Sequence, residues 1–385
     1  MKVESFTVSR KLVLKAVDDF LSTIIRKASD HFCGRLGRVK VTLCTVLLSL
    51  LAAFPQYRGL SQQLDQGINI QALLIKFHNP LSPIPPELKD VSRYYGEGSH
   101  NDKLELRLTL PILGWLGHTG KWTVVIWNHL SALVVFFLLA KLSSQALDDD
   151  VGGALFVLAL GPTFFGSWFF SDIHFGDGIA FMLLLLSIAS RNLVLSSFWF
   201  LAAAFEDERC VLAVPLVLLY FAISLPGNEE KTLRRKHYIA ILFGVGMWML
   251  LRYWVAQTYH LATGTSMLGM RSIIRDNLTG GFPYVFLDTF KVSWTIPLFA
   301  VMCLALKRKW AVLSVYVASF AFLFVPALLV IDFDRSICYT FIFLLTSLYF
   351  LRGGKEPARK YLAAILVLNV LLISPGSSIL RIGAW

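Results

Sequence analysis

The sequence predicts an all-α polytopic integral membrane protein, and three observations carry that prediction. Of 385 residues, 56% are hydrophobic and only 16% charged, against roughly 45–50% and about 25% in soluble domains. That is too little charge to cover a water-facing surface. The apolar residues gather into runs that approach the roughly 20 residues a helix needs to cross a bilayer. The 36 Lys and Arg residues are divided unevenly between alternate connections, as expected where basic loops stay in the cytoplasm. An aromatic content of 14% excludes disorder.

In chain order, residues 1–40 form a basic cytoplasmic N-terminal segment, with nine Lys/Arg and no apolar core of signal-peptide type. Residues 41–385 then read as a single transmembrane helical domain. Spans fall near 40–56, 122–140, 151–170, 178–190, 193–205, 210–225, 238–255, 281–305, 310–331, 336–351 and 361–374, about eleven in all. The first two bracket the only large outer loop, 57–121, whose end SHNDKLELRLTLPILGWLG (99–117) carries an apolar stripe suited to helices lying in the interface. Asp148-Asp149-Asp150 separates the second span from the third, and Arg191-Asn192 separates the short fourth and fifth. Pro283 and Pro297 within the eighth predict a kinked or broken helix, which packed neighbours tolerate.

Eleven spans from a cytoplasmic N-terminus leave the C-terminus outside. The basic residues agree: 22 lie on the cytoplasmic side and 12 on the outer side. With the N-terminal tail and the long loop set aside, the division is 13 against 5. The formal charge of +11 is thus chiefly a topology signal. The cations are spread over loops without interleaved aromatics, so nucleic-acid binding is excluded as a reading. The five cysteines show no metal spacing and read as apolar packing residues.

The outer connections hold the candidate chemistry. They carry 14 of the 25 acidic residues, 13 of them in the first loop and in three short polar turns at helix ends. Asp172, His174 and Asp177 join the third and fourth spans. Glu206, Glu208 and Arg209 lie between the fifth and sixth. Asp332, Asp334 and Arg335 stand between the ninth and tenth, where the DxD spacing would suit a divalent cation. His100, Asp102 and Arg107 precede the interfacial helix. Ionisable groups at that depth are costly and tend to line a functional cavity, although any one turn also reads as ordinary loop solvation or an N-cap. No metal site is assigned, and the cofactor is unknown. No catalytic triad order, Walker loop, GxGxxG or HExxH occurs.

The segments SHNDKLELRLTLPILGWL (99–116), GDGIAFMLLLLSIASRN (176–192), AAAFEDERCVLAVPLVLL (202–219) and IDFDRSICYTF (331–341) resemble a group of bacterial multi-pass membrane proteins of unassigned function. The architecture resembles the polytopic glycosyltransferases of the C superfamily (GT-C), which share a large first outer loop with membrane-lying helices. The resemblance implies a polyprenyl-phosphate-linked sugar donor, an acidic base in or near the first loop, and membrane lipids as partners. Asp65 is the nearest match to the acid that follows the first span in that superfamily, and Asp102 is the alternative. Arg209 and Arg335 are then the cations that face phosphate, with His100, Arg107, Asp172, His174, Asp177, Glu206, Glu208, Asp332 and Asp334 lining the site. The bacterial segments favour a bacterial inner membrane over an endoplasmic reticulum membrane. Two other readings stand beside this one. The first is a non-catalytic GT-C-like subunit or scaffold with a protein partner in a membrane complex. The second is a transporter, for which Arg252, Asp288 and Lys291 are the residues inside spans.

Overall fold

The computed structural model describes residues 2–57, 59–88, 102–118, 120–171, 176–225, 227, 230–262, 282–329 and 333–373. Among these every regular element is a helix. The N-terminal region forms α1 (Lys2–Phe32) and α2 (Gly34–Tyr57), and the long loop 57–121 forms α3 (Leu60–Gln66), α4 (Ile68–His78), α5 (Asp102–Glu105) and α6 (Thr109–Leu116). The next group is α7 (Trp122–Leu147), α8 (Asp150–Leu160), α9 (Phe164–Ser171), α10 (Asp177–Ala189), α11 (Leu193–Glu206), α12 (Arg209–Leu212), α13 (Val214–Ser224) and α14 (Lys231–Tyr259). The last is α15 (Phe282–Phe290), α16 (Thr295–Leu306), α17 (Trp310–Ala327), α18 (Phe333–Cys338), α19 (Phe341–Ser347) and α20 (Lys355–Leu371).

Five of the described segments are long and apolar enough to cross a membrane: Leu36–Phe54, Trp122–Leu147, Lys231–Tyr259, Tyr284–Leu306 and Trp310–Ala327. A sixth results if α8 and α9, bent by 59° at their junction, count as one broken span. The helices α10, α11 and α13 are apolar but shorter. Large apolar side chains stand exposed along α14 and α17, among them Leu250, Tyr253, Val315 and Phe322. A bilayer covers such faces, whereas water would not tolerate them as a continuous surface.

The centre is aromatic. Phe165 on α9 meets Phe169, Phe181, Phe290 and Phe341 at ring-centroid distances of 5.4–5.8 Å. Small residues let helices approach: a Cβ on Gly153 would lie 2.7 Å from the Ser144 backbone nitrogen, so α7 and α8 pack backbone to backbone there. The turn between them ends α7 with Asp148 in the left-handed region (φ 53°) and starts α8 with Asp149 capping the N–H groups of Val151 and Gly152. Arg359 clasps the same carboxylate at 2.7 and 2.8 Å, while Arg38 pairs with Asp150 at 3.2 Å. One end of the bundle is tied by these pairs.

Broken helices leave backbone carbonyls that lipid cannot satisfy. At the α8–α9 break Lys291 Nζ donates to Pro162 O at 2.7 Å and to Leu372 O at 3.0 Å. Asn369 donates to Ala159 O at 2.8 Å and accepts from Val292 N–H at 2.9 Å. The expected break in the eighth span therefore falls at the 3-10 turn Lys291–Trp294, between the two prolines rather than at either of them.

Candidate functional site: a buried arginine–aspartate cluster

Four polar segments meet at the end of the bundle opposite the Asp149–Arg359 clasp. Gly176 precedes α10 with φ +69°, and a Cβ there would collide with Glu206 Oε1, so only glycine fits this turn. It delivers Asp177 as the first residue of α10, where the helix dipole favours an anion. Its side chain is wholly buried. Arg335, on α18, donates to Asp177 through Nε at 2.6 Å and Nη2 at 2.8 Å. Arg209, opening α12, donates at 3.0 Å, and Trp168 Nε1 on α9 at 3.2 Å.

A second carboxylate lies alongside. Asp207, between α11 and α12, accepts from Arg209 Nε at 2.8 and 2.9 Å, from Arg209 Nη2 at 2.6 Å and from Tyr339 O–H at 2.8 Å. Arg107 completes the group from the long loop 57–121, 3.8 Å from Asp177 and 3.6 Å from Asp207. Burial alone would push the Asp207 carboxyl up. The guanidiniums of Arg209 and Arg107 outweigh it and hold the group well below the usual carboxylate range. Arg335 also lies over the Trp168 ring at 5.6 Å, a cation–π contact.

The loop is fastened where Arg107 enters. Leu108 N–H bonds to Phe205 O at 2.9 Å, Thr109 Oγ1 to Ala202 O at 2.7 Å, and Leu110 N–H to Glu206 Oε2 at 2.7 Å. Behind it Lys76, fully buried, donates to Glu105 O at 2.7 Å, while the Glu105 carboxylate accepts from Ile84 N–H at 3.1 Å and Ala262 N–H at 2.5 Å. Burial lowers Lys76 to about 8, against the pull of Glu105. Helix α6 exposes Ile112, Trp115 and Leu116, an apolar face of the kind an interfacial helix presents to lipid.

Of the residues singled out in the sequence, Arg107, Asp177, Arg209 and Arg335 converge, with Glu206 beside them. Glu208 lies within electrostatic reach of Arg107. Asp334 accepts the Arg335 backbone N–H at 2.9 Å. Asp65 is elsewhere: exposed, on α3, paired with Lys121. Asp102 opens α5, five residues before Arg107, and its side chain is outside the described structure. His100, Asp172, His174 and Asp332 also lie outside the described residues. Three participants escaped the sequence reading. Asp207 was visible inside the acidic run 206–208, but Trp168 and Tyr339 sit in apolar stretches that gave no signal.

Three guanidiniums from three separate segments thus surround two carboxylates that are already saturated with donors. Neither Asp177 nor Asp207 is a free base. The arginines are the groups whose planar forks match a phosphate or carboxylate. Among the described residues no three His, Cys, Asp or Glu side chains group as metal ligands. No family model matches the chain, and no curated protein or solved structure is significantly similar to it.

Proposed function

We propose that this chain is a membrane glycosyltransferase-like protein that transfers a sugar from a polyprenyl-phosphate-linked donor at the outer face. The observation that carries the reading is the convergence of Arg107, Arg209 and Arg335 beside a lipid-facing interfacial helix. A departing lipid phosphate needs positive charge at the membrane face, and its prenyl tail must arrive from the bilayer. Asp177 and Asp207 hold the arginines in place. The base on the acceptor hydroxyl is then Asp102, close to Arg107 in the chain, rather than Asp65, which is paired with Lys121. In this reading the shorter apolar helices complete about eleven crossings. The Arg38, Arg359 and Asp148–Asp150 end faces the cytoplasm of a bacterial inner membrane, and an odd number of crossings puts the C-terminus on the other side.

The test is transfer of radiolabelled sugar from a polyprenyl-phosphate donor in membranes containing the full chain. Asp102→Asn is expected to abolish transfer at unchanged expression, and Asp65→Asn to leave it largely intact. Unchanged transfer in both removes the base assignment.

A second reading, the non-catalytic GT-C-like subunit, is favoured by one observation: the charges of the cluster compensate one another internally, as in a structural lock. It expects no transfer by the wild-type chain and co-purification with a membrane partner. The transporter reading loses ground because the Lys291 ammonium is engaged by two backbone carbonyls.

A further inference from the structure

Helices α11 and α14 run side by side in the same direction. Ser197 Oγ donates to Ala240 O at 2.7 Å, Gly244 sits against Phe200, and further along Phe205 packs against the cluster that contains Val255 and Ala256. Between their first halves lies an open groove of about 500 Å³, within the range of small-ligand sites. Val194, Phe198 and Leu201 form one wall and Ile239, Phe243 and Met247 the other, each set at the three- or four-residue spacing that aligns side chains along a helix. Gly244, without a side chain, deepens the floor, and Lys236 closes one end.

Length and charge identify the occupant. From Lys236 to Met247 the helix rises about 16 Å, close to the ~15 Å depth of one leaflet's hydrocarbon. At the Lys236 end, Lys231, Arg234, Arg235 and Lys236 fall within six residues, and Arg191 precedes the adjacent start of α11. Arg234 donates to Leu225 O at 2.9 Å. Arg235, Lys236 and Arg191 are exposed. Basic clusters at the end of a membrane helix attract anionic headgroups. Leu201, the groove residue nearest Glu206, precedes it by five residues, about 7.5 Å along the helix, and no lining residue of the groove belongs to the Asp177–Asp207 cluster.

We propose that the groove holds one acyl chain of an anionic phospholipid from the leaflet on the Lys231–Lys236 side, with its phosphate against Lys236, Arg235 and Arg191. The site needs both parts: a chain in the groove and a negative headgroup at its basic end.

The test is native mass spectrometry of the full-length chain titrated with phosphatidylglycerol or phosphatidylcholine of matched acyl length. Phosphatidylglycerol is expected to be retained preferentially. Each basic residue removed should weaken its retention about fivefold, so Lys236→Ala with Arg235→Ala weakens it about 25-fold. Ser197→Leu, which fills the groove and gives up the Ser197–Ala240 hydrogen bond, should abolish the preference. If that variant fails to fold, Val194→Trp at the exposed rim replaces it. Equal retention of both lipids, or no effect of the double variant, means ordinary annular lipid and overturns the proposal. Full charge dependence with no effect of a folded groove variant means a basic surface patch only, and overturns it equally.

Discussion

Replacing Asp177 by Asn keeps the size of the side chain and removes its charge, and the surroundings set the cost. The carboxylate is fully buried and receives three N–H groups of Arg335 and Arg209 at 2.6–3.0 Å and a fourth from Trp168 at 3.2 Å. Asparagine offers one acceptor oxygen and turns an NH2 toward the guanidiniums. Hydrogen bonds to charged groups contribute about 1.5–3 kcal/mol each, but groups in one network do not add independently. Removing one partner of a buried ion pair costs about 3–5 kcal/mol, because the other charge stays desolvated. We expect Asp177→Asn to lose about 3–5 kcal/mol, a large share of the roughly 5–15 kcal/mol that holds a typical protein folded. Adding Arg335→Gln should recover part of the loss, with a coupling of about 2 kcal/mol. Recovery stays incomplete because Arg209 and Arg107 still face position 177. Equilibrium unfolding in mixed micelles, followed by tryptophan fluorescence against the fraction of denaturing detergent, gives all four corners of the cycle. A cost below about 1 kcal/mol, with the two substitutions additive within about 0.5 kcal/mol, would show solvated charges and refute the buried network.

Two further predictions follow from the same region. Gly176→Ala should destabilise the arginine–aspartate end of the bundle by about 1–3 kcal/mol, from the left-handed backbone and the displaced Glu206. In a Glu206→Ala background the same substitution should cost less, and an unaltered unfolding midpoint for Gly176→Ala would contradict the turn geometry. Lys76 binds its proton more weakly in the folded chain, at about 8, than in the unfolded one, near 10.5. Folding therefore releases a proton between these values, and stability should rise with pH across that window by about 3 kcal/mol. The rise should vanish in Lys76→Met; equal pH profiles for the two proteins would rule it out.

Much of this protein was legible in the one-dimensional order of its residues. Composition alone required a membrane, because 16% charge cannot clothe a soluble surface. The outer turns were readable as chemistry because Asp177, the 206–209 run and Arg335 interrupt apolar helices, where each charge is conspicuous. The spans were less legible. Hydropathy does not distinguish a full crossing from α10, α11 or α13, since all are apolar for about as long as they are helical, and length is fixed by where packing partners end the helix. The break at Lys291–Trp294 depended on Asn369 and Pro162, more than 70 residues away in one direction and more than 125 in the other.

What the sequence determined by itself is that charges are few and, Arg252, Asp288 and Lys291 apart, stand outside the predicted spans, because an ionised group within lipid is costly. What only the tertiary structure decided is which of them share one site. Asp65 and Asp177 are the same residue type and each follows a predicted span, yet one is exposed against Lys121 and the other is closed off beneath three arginines. A carboxylate's role is set by how much water its neighbours remove and how many donors they aim at it. Those neighbours come from α9, α12, α18 and the long loop, brought together only by the packing of the apolar helices between them.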